Sequence, residues 1–274
     1  MNDHPRDLPT LPPATSSPAM RKIPAVAAAF WVMKICATTL GETAGDQVSM
    51  TWDLGYRDAS LILLGFFLVT LVVQLALKRY VPPVYWAVIL STSTAGTTMS
   101  DYMDRTLKLG YTAGMSILVT ILLVILATWR ATEKSLSVDH VNSRRGEIFY
   151  WSAILFSNTL GTALGDFLAH DSELGFTGGA LLIGGLLALV LLATFFTRLS
   201  RVLLFWVAFV LTRPFGATMG DVLTKPADEG GLDLGTAASS ALLAIPLVLL
   251  VVREVWLERR RRAADASTQA GAPA

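Results

Sequence analysis

Cysteine is almost absent: Cys36 is the only one among 274 residues, so no internal disulfide can form. Histidine is nearly as scarce, with His4, His140 and His170 alone. One lone cysteine and three scattered histidines disfavour a zinc site. Charged residues make up 16% of the chain against 53% hydrophobic, which excludes a disordered chain and is too apolar for an ordinary soluble domain. Enzyme signatures are missing too: no serine with a His/Asp set, no paired Cys/His ligands, no glycine-rich phosphate loop between a strand and a helix. The chain is therefore read as not an enzyme, and no cofactor is implied. Its basic clusters lack the aromatic interleaving of a nucleic-acid surface, so no nucleic-acid partner is expected.

What the chain does have is long apolar segments, at roughly 24–45, 59–77, 82–100, 112–129, 148–168, 177–196, 202–222 and 236–252, each long enough for a helix to cross about 30 Å of hydrocarbon. The mean hydropathy of +0.54 agrees. The expected fold is all-α: a polytopic membrane protein of eight transmembrane helices, with the lipid bilayer as its partner.

Tryptophan recurs at Trp31, Trp86, Trp151 and Trp206. Ten residues after each comes a glycine, Gly41, Gly96, Gly161 and Gly216, and fifteen after comes an aspartate, Asp46, Asp101, Asp166 and Asp221. A small residue precedes each aspartate: Gly45, Ser100, Gly165 and Gly220. A Leu-Gly-aromatic turn follows in three copies, at Leu54-Gly55-Tyr56, Leu109-Gly110-Tyr111 and Leu174-Gly175-Phe176, and the fourth copy delays its Leu234-Gly235 by five residues. Four in-phase copies make the chain an internal fourfold repeat of two helices each. An even number of spans per copy points all four the same way, so the repeats are parallel.

Charge placement orients them. Sixteen of the 22 Lys and Arg lie in the tails or the links between repeats, while 13 of the 21 acids lie at the motif ends and the loops after them. Both termini are thus expected in the cytoplasm, with the motif ends outward. The organisation expected is a disordered cytoplasmic tail over 1–22, a membrane half over 23–130, a cytoplasmic linker over 131–146, a second half over 147–257 and a tail over 258–274. The first apolar segment is full-length and runs into the motif, so the tail before it is not read as a cleaved signal.

The small-xxx-small pairs Gly41/Gly45, Gly96/Ser100, Gly161/Gly165 and Gly216/Gly220 let helix backbones approach closely. The motif helices are therefore expected inside and the plainer helices outside; whether the inner four close as a ring or as two pairs stays open. At 100° per residue, Lys34, Thr38, Glu42 and Asp46 fall on one face of the first helix, and the glycines share its edge. The equivalent faces hold Ser93, Thr97 and Asp101, then Asn158, Thr162 and Asp166, then Arg213, Ala217 and Asp221.

Two readings of these residues stand side by side. In one, the four aspartates gather a small cation at the outer mouth above Thr38, Thr97 and Thr162, and Glu42 is a deeper ligand or proton-exchanging acid. Such an oxygen-rich site suits Ca²⁺, Mg²⁺ or Mn²⁺ better than zinc or copper. Lys34, Glu42 and Arg213 would then be a charge cluster within the membrane, Glu42 and Arg213 pairing where the first and fourth helices meet. In the other, the aspartates cap turns and the charges merely neutralise one another in a non-transporting scaffold or stress-tolerance protein. His170 could join the outer site or remain a loop residue.

The tryptophan-bearing arrangement over roughly residues 24–252 resembles a bacterial membrane-protein family of unknown function built of four tandem two-helix repeats. Glu42-Thr43-Ala44-Gly45-Asp46-Gln47-Val48-Ser49 is also similar to the Glu-x-Gly-Asp-Lys/Arg-Ser/Thr signature of manganese/calcium–proton exchangers. It departs from that signature in its spacing and in lacking the basic residue, and those exchangers use inverted repeats. The likeness implies convergence on a carboxylate cation site, not descent. The expectation is a transporter or channel for a small solute, most simply a cation, with protons as its exchange partner.

Overall fold

The computed structural model describes residues 24, 28–136, 141 and 143–270. The tail expected over 1–22 lies outside the described residues, as do 137–140 and 142 of the linker and 271–274 at the other end. Eight α-helices account for most of the described chain, and no strand occurs among the described residues. They are α1 Ala28–Asp46, α2 Gly55–Ala76, α3 Pro82–Asp101, α4 Tyr111–Glu133, α5 Arg144–His170, α6 Gly175–Phe196, α7 Arg201–Thr224 and α8 Gly235–Ala270. Odd-numbered helices carry the tryptophan motif.

Local chemistry sets the helix ends. Ser143 and Ser200 precede α5 and α7, and each hydroxyl accepts a hydrogen bond from a backbone N–H of the first turn, at 2.8 and 3.5 Å. Every even-numbered helix starts on or directly after a glycine at positive φ: Gly55 (72°), Gly110 (74°), Gly175 (65°) and Gly235 (71°). Only glycine takes that conformation without strain, which is why the Leu-Gly turn recurs. The delay in the fourth copy is a short 3₁₀ turn, Ala227–Glu229, inserted after α7. In the first two copies the motif helix instead winds into a π-helical turn, Gln47–Thr51 and Tyr102–Thr106.

The inner helices close as a ring: α1 packs on α3, α3 on α5, α5 on α7, and α7 back on α1. Each outer helix packs chiefly on the motif helix of the next repeat, α2 on α3, α4 on α5 and α6 on α7, and α8 of the last repeat covers α1 of the first. The ring is thereby closed at its seam by both ends of the chain. Outward faces are aliphatic, as at Leu61 (64% exposed) and Leu181 (72% exposed).

Five helices are long and apolar enough to cross a membrane: α2, α4, α6, α7 and α8 over Gly235–Ala264. The other three, α1, α3 and α5, are the motif helices whose threonines, serines and acids are buried against their neighbours. Helix α8 differs from expectation in running 36 residues, well past the end of its apolar stretch at about 252. Its charged extension has helical partners, with Arg262 and Arg261 3.6 and 3.8 Å from Glu258. It is also tied to the start of α3: Tyr80 and Trp86 donate to the Glu254 carboxylate at 2.5 and 3.1 Å, and Arg262 donates to the Tyr80 carbonyl at 3.2 Å.

Candidate functional site

Corresponding positions of the four motif helices meet in tiers along the ring axis, one helical turn or about 6 Å apart. At the tryptophan end, the residue before each tryptophan is aromatic: Phe30, Tyr85, Tyr150 and Phe205. Each tryptophan touches that residue on its own helix and the equivalent one on the preceding helix. Trp86 lies 5.4 Å from Tyr85 and 5.7 Å from Phe30; Trp151 lies 5.1 Å from Tyr150 and 5.4 Å from Tyr85. Trp206 bridges Phe205 and Tyr150 in the same way, and Trp31 bridges Phe30 and Phe205, so the contacts run around the whole ring. A 2.6 Å hydrogen bond between the Tyr85 and Tyr150 hydroxyls crosses it. Edge-to-face and tilted rings pack densely, and polar ends among them have partners, with Trp86 Nε1 donating to Glu254 and Trp206 Nε1 to the Leu136 carbonyl. This collar closes the axis at one end.

Next comes Lys34, level with Ile89, Ile154 and Phe209, all fully buried. Its Nζ has no hydrogen-bond partner and stands 4.1 Å from the centre of the Phe209 ring. The structure therefore does not bring Lys34 into an ion pair with Glu42, because its own tier is apolar.

Thr38, Ser93, Asn158 and Arg213 form the third tier, and Glu42, Thr97, Thr162 and Ala217 the fourth, all buried. Arg213 reaches from one to the other. One of its terminal nitrogens, NH2, lies 2.8 Å from Glu42 Oε2, and it also donates to the hydroxyls of Thr97 and Thr162 (2.7 Å to the latter) and to the Ser93 carbonyl (3.3 Å). NH1 donates to the Thr38 carbonyl at 3.2 Å. One guanidinium thus holds all four inner helices. The alanine at 217 makes this possible, since it leaves room above Arg213 where the first helix has Glu42. Asn158 donates to Ser93 Oγ at 3.3 Å and to Thr92 Oγ1 at 3.0 Å.

The glycines make the tiers close. A Cβ at Gly41 would strike Ser93, one at Gly161 would strike Arg213, and one at Gly216 would stand 2.7 Å from Thr38 Oγ1. At Gly96 it would meet the Thr159 nitrogen at 3.0 Å. The second set repeats this one turn on: Gly45 faces Thr97 (3.0 Å), Gly165 faces Ala217 (2.8 Å) and Gly220 faces Glu42 (2.9 Å).

Asp46, Asp101, Asp166 and Asp221 form the last tier, 3–6% exposed. Two bases cover it. Arg105 Nε lies 2.9 Å from Asp101 Oδ1, and its NH2 lies 3.7 Å from Asp166 Oδ1 on the next helix. Lys225 Nζ lies 3.5 Å from Asp221. Burial works against both charges, but the carboxylates outweigh it: Asp101 and Asp166 hold the guanidinium above its ordinary value, and Asp221 and Asp46 do the same for Lys225. Asp46 has no ion pair among the described residues, and Asp166 Oδ2 has no hydrogen-bond partner. No three His, Cys, Asp or Glu side chains converge on a position for a metal ion among the described residues. His170 stays outside the tier, stacked on Tyr111 at 6.2 Å.

Sequence reasoning missed two parts of this assembly. Arg105 and Lys225 each stand four residues after a motif aspartate, one helical turn on, so the pairing was legible as spacing. The aromatic residue before each tryptophan was equally visible as a fourfold position.

No curated protein and no solved structure matches the chain. A family model does, in four consecutive copies over residues 29–80, 84–135, 149–200 and 204–260. These windows begin within two residues of each tryptophan, and the first three end just after the outer helix while the fourth ends within α8, so the repeat seen in packing is the family's repeat: the chain belongs to the DUF347 family, described as a repeat of unknown function.

Proposed function

We propose that the chain is an eight-span protein of the bacterial cytoplasmic membrane that moves a small cation along its ring axis in exchange for protons. Both termini lie in the cytoplasm and the aspartate tier faces outward, because the basic residues gather at the links and the acids at the motif ends. The outer helices α2, α4, α6 and α8 meet lipid with their aliphatic faces.

One observation carries the reading. Five buried acids, Glu42 and the four aspartates, share the two outward charged tiers with three bases, Arg105, Arg213 and Lys225. Two negative charges are left over in these tiers, and the remaining base of the ring, Lys34, lies two tiers away among apolar side chains. A buried charge without a partner is costly, so this surplus must be met by protons or by a cation from outside. A carboxylate that exchanges one for the other couples the two movements. The reading as a packing scaffold draws on a different observation, the tight fit of the glycines and the full engagement of the Arg213 terminal nitrogens. Packing alone gives no reason for acids to outnumber bases within the ring.

Asp46 is the residue on which to test this, since its replacement breaks no ion pair. Asp46→Asn is expected to keep the thermal stability of the parent while lowering cation-driven proton release, and flux into proteoliposomes, by about tenfold or more. An Asp46→Asn protein that still releases protons and carries cations like the parent would sink the exchange mechanism.

A further inference from the structure

We propose that the aspartate tier takes a small organic cation of the guanidinium class, and that Arg105 is an internal competitor for the same carboxylates. The proposal rests on the cation-transport reading and names its substrate class. A hard metal ion needs several oxygens drawn to about 2.0–2.6 Å of one point, and no three acidic or histidine side chains are so arranged among the described residues. The carboxylates of Asp101 and Asp166 stand instead on neighbouring helices, at a separation that two different nitrogens of one planar guanidinium span, at 2.9 and 3.7 Å. A guanidinium is weakly hydrated, presents its donors in a fixed plane and packs against aromatic rings. The Tyr56 ring supplies such a wall, 5.8 Å from Arg105 Cζ.

Two acceptors in the tier remain beyond what Arg105 uses. Asp166 Oδ2 belongs to a side chain 4% exposed and has no hydrogen-bond partner. Asp46 has no ion pair among the described residues. Arg105 itself is the displaceable member. Its side chain is 34% exposed and sits on the π-helical turn Tyr102–Thr106, whereas Arg213 is fully buried and bound to every inner helix. π-turns of this kind are frequent at functional sites. An incoming guanidinium that takes over Asp101 and Asp166 would push Arg105 outward without disturbing the Glu42–Arg213 core.

The test is calorimetric binding of methylguanidinium to the purified full chain, with methylammonium, Na⁺, Mg²⁺ and Mn²⁺ as comparators. Arg105→Gln removes the competitor and is expected to bind methylguanidinium at least tenfold more tightly than the parent, with Arg105→Gln/Asp166→Asn losing the gain. Should Arg105→Gln fold poorly alone, millimolar methylguanidinium is expected to restore its melting temperature, and the other cations are not. Equal restoration or tighter binding by methylammonium or a metal ion would overturn the guanidinium assignment and leave the cation-transport reading standing. No binding of any cation by either protein would overturn both.

Discussion

Replacing Arg213 with methionine is expected to cost about 3–5 kcal/mol of folding stability, because it strands a buried carboxylate. Glu42 is 3% exposed, and Arg213 is the only base within ion-pair distance of it among the described residues. Beyond the charge, the substitution removes the donors that satisfy two backbone carbonyls and two threonine hydroxyls contributed by three other helices. The double variant Glu42→Gln/Arg213→Met is expected to recover at least half of the loss, since an amide can stay buried beside Thr97 where an unpaired charge cannot. Lys34→Met is the contrasting case. Its amine has no hydrogen-bond partner and an apolar tier around it, so its replacement is expected to be neutral or stabilising. Reversible unfolding in mixed micelles reads all three. A double variant as unstable as Arg213→Met would show that the lost contacts, not the stranded charge, dominate. A large loss in Lys34→Met would mean that the amine has an energetic role the geometry does not reveal.

The same residues show how far the chain could be read before its structure. The fourfold period, the inner and outer helices and the shared polar face all follow from spacing, because residues at a fixed distance from each tryptophan occupy equivalent places on equivalent helices. The Glu42–Arg213 pair was legible because only the first copy has the acid and only the fourth has the arginine. Ring closure was not legible. It depends on Gly216 fitting Thr38 just as Gly41 fits Ser93, a statement about two helices nearly 180 residues apart. What surrounds Lys34 was not legible either, for a simpler reason. A helical wheel gives its angle, but its neighbours come from other helices, and the residues at its register there are Ile89, Ile154 and Phe209. The bases over the aspartates do not stand out in the sequence because only the second and fourth copies have one four residues after the aspartate. The chain continues as helix through that point, turning π-helical after Asp46 and Asp101, and carries Arg105 and Lys225 back over the tier.

Glycine-to-alanine substitution is expected to change sign between the ring contacts and the open positions of α2 and α6. In α2 and α6, Gly65 and Gly185 have open space where a Cβ would go, so Gly65→Ala and Gly185→Ala gain helix propensity and are expected to stabilise by roughly 0.5–1 kcal/mol. On the ring, the added methyl meets atoms that cannot withdraw. At Gly216 it would stand 2.9 Å from the Thr38 carbonyl carbon, and at Gly41 3.0 Å from that of Ser93, both backbone atoms of the neighbouring helix. Overpacking of this kind costs about 1–3 kcal/mol, and Gly41→Ala and Gly216→Ala are expected within that range. Gly96→Ala, with its nearest contact at 3.0 Å, is expected at the lower end. Gly161→Ala is expected to exceed them all, because its methyl would displace the Arg213 stem and Pro214, and so loosen the Glu42 pair as well as the helix contact. That excess has its own signature: combined with Arg213→Met, Gly161→Ala is expected to cost less than the sum of the two single losses, whereas Gly41→Ala is expected to add to Arg213→Met in full. If Gly161→Ala also adds in full, the close approach of α5 and α7 serves only their packing. If it does not, the glycines are what hold the central charge pair in place, and the packing of the repeat and the chemistry of its axis rest on the same contacts.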